Sequence, residues 1–184
     1  MRFIFQEEKA AQAAGYLLNK YPSKSHNLMA LLKMLYLADR MALVETGYPI
    51  TGDRMVSIPN GPVLSQILDL INYGPKATSG PASPWFAAIS PRDGYDVALI
   101  RDPGVEALSE YETEVLDKIY DQYGQMDKWQ LVDLTHKLPE WQDPQGSSIP
   151  IDPLVILRDA GVSEAEIRQI VEESEQRYSI RDPG

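Results

Sequence analysis

The chain contains no cysteine, which excludes disulfides, thiol nucleophiles and thiolate metal sites. Histidine is almost as scarce, with only His26 and His136. A zinc site wants three or four His, Cys or carboxylate ligands at recognisable local spacing. The sequence offers no such set, so neither a metal nor a cofactor is expected. Phosphate-binding glycine loops and the G-x-S-x-G nucleophile elbow are also missing, and no catalytic set is legible. Long apolar runs are lacking as well. The most apolar stretch, Leu28 to Val44, is 17 residues long and is interrupted by Lys33, Asp39 and Arg40, whereas a membrane span needs about 20 apolar residues. Met1 to Phe5 run straight into Gln6-Glu7-Glu8-Lys9 with no apolar leader core. The expectation is a cytoplasmic protein that does not enter membranes.

What remains is an ordinary globular composition. The 184 residues are 43% hydrophobic and 24% charged, enough to bury a core without covalent staples. The charge is split unevenly. Residues 1–92 carry a net +3 and residues 93–184 a net −13. The acidic half repels phosphate backbones, so direct nucleic-acid binding is not expected. The run Glu172, Glu173 and Glu175 reads as a solvated face or a docking face for a basic partner.

Helical spacing predicts a first helix over 6–21 and a second over 27–45, the latter apolar beyond one face and therefore surrounded by neighbours. Arg54 to Ile58 alternate as a short strand. Asn60-Gly61-Pro62 reads as a helix entry with Pro62 at the first helical position, closing at Gly74-Pro75. Residues 74–94 read as irregular and hold Trp85 and Phe86. Tyr95 to Ile100 is a candidate strand, to pair with Arg54–Ile58 or Phe86–Ile89. Start signals at Ser109, Asp127, Asp152 and Ser163 predict four further helices. The fold class expected is mostly α, a compact helical domain over 1–151 with a two- or three-stranded antiparallel β element. An acidic helical extension over 152–184 packs on it. The pentapeptide Ile100 to Gly104 recurs at Ile180 to Gly184, too short to mark a structural repeat.

Among polar residues Asp39 is the most informative, because it falls on the apolar stripe of the second helix. A carboxylate there needs a partner. Arg54, Arg40, the amides near Thr51-Gly52 or a hydroxyl are the candidates. His136, at a helix end, reads as a structural group. An enzyme reading would place a site around Asp39, Arg54 and His136.

Lys33-Met34-Leu35-Tyr36-Leu37-Ala38-Asp39 resembles the K-L-L-Y-L-A-D signature of the Panacea domain, the SocA-like antitoxin family. Gly47-Tyr48-Pro49-Ile50-Thr51-Gly52, Gly61-Pro62-Val63, and Thr135-His136 with Trp141 follow in the family's order. The ordered set covers roughly residues 5–150. The resemblance implies an antitoxin that neutralises a co-encoded toxin by direct binding and, in some relatives, an adaptor that delivers the toxin to a protease unfoldase. A mobile-element or prophage regulator that binds a host protein is the alternative. Three regions are then candidate partner contacts: Lys33, Arg54 and Asn60-Gly61-Pro62; Trp85 with Phe86; and Glu172, Glu173 and Glu175. Asp39, His136 and Trp141 are expected to be structural.

Overall fold

The computed structural model describes residues 1–74 and 83–181. Its centre is a 19-residue helix, α2 (Leu28–Thr46). The Asn27 side chain starts it by accepting from the amides of Met29 and Ala30 at 3.0 and 3.3 Å, which satisfies two of the orphan donors of the first turn. Gly47 ends it in the left-handed conformation, with φ +80°. A Cβ there would also meet Ile170 at 2.8 Å, so glycine serves both the turn and the close approach of the last helix.

Around α2 pack α1 (Glu7–Asn19), α3 (Ser65–Tyr73), α5 (Glu110–Tyr123), α6 (Lys128–Thr135) and α7 (Pro153–Asp159). A short α4 (Pro84–Ala88) lies against α1, and α8 (Glu164–Arg181) against α7. Leu31, Leu32, Leu35 and Leu43 of α2 are buried, as are Ile67, Leu116 and Ile119 from its neighbours. Ile156, Leu157 and Ile167 of α7 and α8 join the same cluster. No helix among the described residues is long and apolar enough to cross a membrane.

Two small antiparallel sheets complete the fold. In one, β1 (Ser25–Asn27) pairs with β4 (Asp96–Ala98), His26 opposite Val97. In the other, β2 (Met55–Ile58) lies between β3 (Gly61–Leu64) and β5 (Ile149–Pro150). Strands this short depend on helix packing for stability. The mostly helical class with a small β element is what the structure has. Three details differ from the expectation. Gly61 to Leu64 are a strand rather than a helix start, because β3 is an edge strand where the missing Pro62 amide costs no ladder bond. The helix begins at Ser65, capped by Asp53, whose carboxylate accepts from Gln66 N at 3.0 Å and Ile67 N at 2.9 Å. The strand after Tyr95 pairs with β1 and not with Arg54–Ile58; toward Phe86–Ile89 it makes only the bridge Ile89–Leu99. Within the segment read as irregular, residues 84–88 are helical; residues 75–82, including the Pro75 of the expected helix end, lie outside the described residues, as do 182–184 of the second pentapeptide copy.

Truncating Leu35 to Ala should cost about 2–5 kcal/mol, the range for a buried leucine in a packed core. Urea denaturation measures it, and a loss below about 1 kcal/mol would contradict the burial of this helix.

Candidate functional site: a polar stripe on α2 and the hairpin it holds

At about 100° per residue, Lys33, Tyr36, Asp39 and Arg40 occupy one stripe about 120° wide on a helix that is otherwise apolar up to Val44. Together they reach three separate segments of the chain. The Lys33 ammonium is fully buried and donates to the Pro62 carbonyl at 2.7 Å. Tyr36 donates to Glu140 Oε1 at 2.7 Å, and Arg40 Nε shares that oxygen at 2.7 Å. Glu140 is itself buried. Asp39, at 0% exposure, accepts from the Thr51 amide at 3.0 Å and the Thr51 hydroxyl at 2.5 Å. Of the partners weighed for Asp39 in the sequence, the turn amide and a hydroxyl are those it meets.

The β2–β3 turn, Pro59-Asn60, is gripped from two sides. His136 Nε2 lies 3.0 Å from the Pro59 carbonyl, a bond that requires the proton on Nε2. Trp141 Nε1 donates to the Ile58 carbonyl at 3.1 Å. The two rings stack with centroids 4.1 Å apart. Gly61 adopts φ +92°, and a Cβ on it would meet Thr135 Oγ1 at 2.7 Å and Lys33 Nζ at 2.8 Å. Thus Lys33, Gly61-Pro62, His136 and Trp141, far apart in sequence, meet around one turn, and the carbonyls of Ile58, Pro59 and Pro62 all go to side chains. His136 is bonded to this distant turn, not to the carbonyls of its own helix end.

Burial sets the electrostatics. It pushes the Asp39 carboxyl up to about 7; the Thr51 bonds work against the rise and the nearby Asp53 adds to it. It pushes the Lys33 amine down to about 7. Tyr36 is raised well above its ordinary value, by burial first and then by the charge of Glu140. A neutral amine is a nucleophile in principle, but Lys33 is sealed from solvent beneath the hairpin. Among the described residues no group of three His, Asp or Glu could hold a metal. Asp39 and His136 are absent from the groove of about 680 Å³ that Arg54 lines. The arrangement fastens loops to a helix.

The other candidate contacts are dispersed. Lys33 lies inside the protein, so the contact expected of it is not open to a partner; the reason is that the hairpin covers it. Trp85 is also fully buried, because the five-residue α4 starts at the Ser83 cap and packs on α1; Phe86 beside it is half-buried. Arg54 and Asn60 are exposed. Glu172 is exposed, Glu173 accepts from Gln169 at 2.9 Å, and Glu175 pairs with the amino group of Met1 at 3.1 Å. Reading the sequence missed Glu140, because nothing local marks it as the partner of a helix 100 residues away. It also missed the exposed Tyr95 and Trp129; Trp129 was legible only as part of a helix start.

A family model described as "Antitoxin SocA-like, Panacea domain" matches residues 31–142. The matched span opens in α2 and closes just after Trp141, so it contains every residue that grips the hairpin turn and leaves α7 and α8 outside. No curated protein and no solved structure matches the chain.

The two buried groups, each with its own partner, set opposite slopes on stability. Asp39, held at about 7 when folded against an ordinary 3.8, keeps in the fold a proton that the unfolded chain gives up. Its contribution therefore falls as pH rises from about 4 to 7. Lys33, at about 7 against 10.5, loses in the fold a proton that the unfolded chain retains. Its contribution therefore rises as pH climbs above 7. Urea melts at pH 5, 7 and 9 should show that Asp39→Asn flattens the acid limb and Lys33→Met the alkaline limb. Unchanged limbs in both variants would refute this assignment.

Proposed function

The chain belongs to the SocA-like antitoxin family of the Panacea domain, and on that premise we propose that it neutralises a co-encoded toxin by direct protein–protein binding in the cytoplasm. The observation that carries the reading is the fate of the family-motif side chains. Lys33, Tyr36, Asp39 and His136 each end on a group of their own chain. They build a rigid frame, and a rigid frame serves recognition by presenting its surface at low ordering cost. The net −13 of residues 93–184 suits a basic partner, for which long-range attraction speeds encounter at low salt. In this reading residues 1–151 form the domain and the acidic helices of 152–184 extend its charged surface; the protein is a binder and not an enzyme. Delivery of the bound toxin to a protease unfoldase is the form that neutralisation would take if occlusion alone does not suffice.

Co-expression with the product of the adjoining reading frame tests this. Growth should be arrested by that product alone, restored by this chain, and the two should co-purify. Restored growth without a retained complex would overturn direct binding. Rescue that is lost in a strain lacking the protease would assign delivery, and rescue that persists there would assign occlusion.

A further inference from the structure

Two aromatic side chains stand in solvent on stiff backbone. Tyr95 is 69% and Trp129 59% exposed. They come from distant parts of the chain, but the ammonium of Lys128 lies 5.0 Å from the centre of each ring, so they form one patch. Tyr95 sits in a tight turn closed by two backbone bonds between Asp93 and Asp96, 2.9 and 3.0 Å long. The Arg92 guanidinium braces this turn through the Gly94 carbonyl at 3.0 and 2.9 Å, and the Tyr95 carbonyl accepts from Leu28 N at 2.8 Å. Trp129 lies in the first turn of α6, its amide bonded to Asp127 Oδ1 at 2.8 Å. Neither residue needs its backbone ordered upon binding, which removes part of the entropic cost of association. Tryptophan and tyrosine are also the side chains most enriched at the energetic centres of interfaces.

The charges around the rings decide the partner. Asp93 and Asp96 flank Tyr95. Asp127 precedes the helix start beside Trp129, and Asp133 follows four residues later on the same helix face. All four are exposed. Against them stand Arg92 and Lys128, so the rim is net acidic. A phosphate backbone is repelled there. Arginine and lysine side chains are attracted, and the exposed ring surface not taken by Lys128 or by Arg92, 5.9 Å from the Tyr95 ring centre, is left for a guanidinium.

We propose that Tyr95 and Trp129 are the anchors by which this chain holds a basic protein surface, with arginines of the partner over the rings and paired to Asp93, Asp96 and Asp133. The proposal rests on the toxin-binding reading and names its surface. Titrating the full chain with an octa-arginine peptide probes the chemistry without a toxin. Binding should be salt-sensitive, should quench tryptophan emission, and should weaken roughly tenfold or more in Tyr95→Ala and Trp129→Ala, while melting temperatures hold because both side chains are exposed. Asp133→Lys should weaken it and lower its salt dependence. Equal binding by wild type and the aromatic variants, or no binding at all, overturns the patch. Binding of a single-stranded oligothymidine that these variants abolish also overturns it, in favour of a base-stacking platform. The same variants should fail to co-purify the product of the adjoining reading frame. If the wild type binds peptide through the patch but never retains that product, the toxin reading fails and the patch stands. If wild type and variants retain the product equally, the patch fails and the toxin reading stands.

Discussion

Surrounding α2 with other elements removes Lys33, Tyr36 and Asp39 from water altogether and leaves Arg40 little of it. A polar group buried without a partner costs a few kcal/mol, and a charge far more. The rest of the architecture follows from meeting that demand. Pro62 brings a carbonyl to Lys33, Glu140 a carboxylate to Tyr36 and Arg40, and Thr51 an amide and a hydroxyl to Asp39. Three loops are placed by what one helix lacks. The helices that wrap α2 supply hydrophobic burial, which is large but non-directional. The polar stripe gives it direction, because each bond is satisfied in only one arrangement of its loop.

The same logic separates the interior from the surface. Residues that the family pattern makes prominent are spent inside, as framework. The groups proposed for recognition lie between those motifs, on turns and first helical turns whose backbone is already fixed. A scaffold of this kind can keep its motif while its outer face varies, since among the described residues the only surface side chains that hold the hairpin turn are the half-exposed His136 and Trp141.

Local and periodic features of the fold were legible in the sequence. Fourteen apolar residues among the 17 from Leu28 to Val44 have no solution but a buried helix. The Ser109 and Asp127 starts are reciprocal capping boxes in the structure. Asp152 caps α7, and Ser163 and Glu166 bond each other at the start of α8. Illegible features were those whose cause lies elsewhere in the chain. Asp53 caps α3 from outside the helix, so Ser65 carries no start signal of its own. β1 is three polar residues that are strand only because β4 comes alongside. Trp85 and Trp129 look alike in sequence. What buries one is the small-residue face of α1, where Ala10, Ala11 and Ala14 leave room for α4 to pack close. What exposes the other is its place on the outer side of a capped helix. Of the candidate site, the motif residues were legible as one ordered set, which the family match over residues 31–142 spans, but the direction in which Lys33 points was not available to any one-dimensional reading.

The bonds that lock the centre span long stretches of chain: 77 residues separate Pro59 from His136 and 83 separate Ile58 from Trp141 at the hairpin turn, and 104 separate Tyr36 of α2 from Glu140. During synthesis, which proceeds from the N-terminus, α2 and the hairpin emerge well before the residues that lock them. Pairings this distant form slowly, because loop closure must precede any gain from the contact. Until residues 136–141 arrive, the nascent chain holds a half-assembled centre with an open turn and unsatisfied polar groups. The centre is therefore finished late, only after residues 136–141 have been made. An unlocked polypeptide is more open to cleavage than a closed one, so late closure of this lock lengthens the interval in which a new copy is vulnerable.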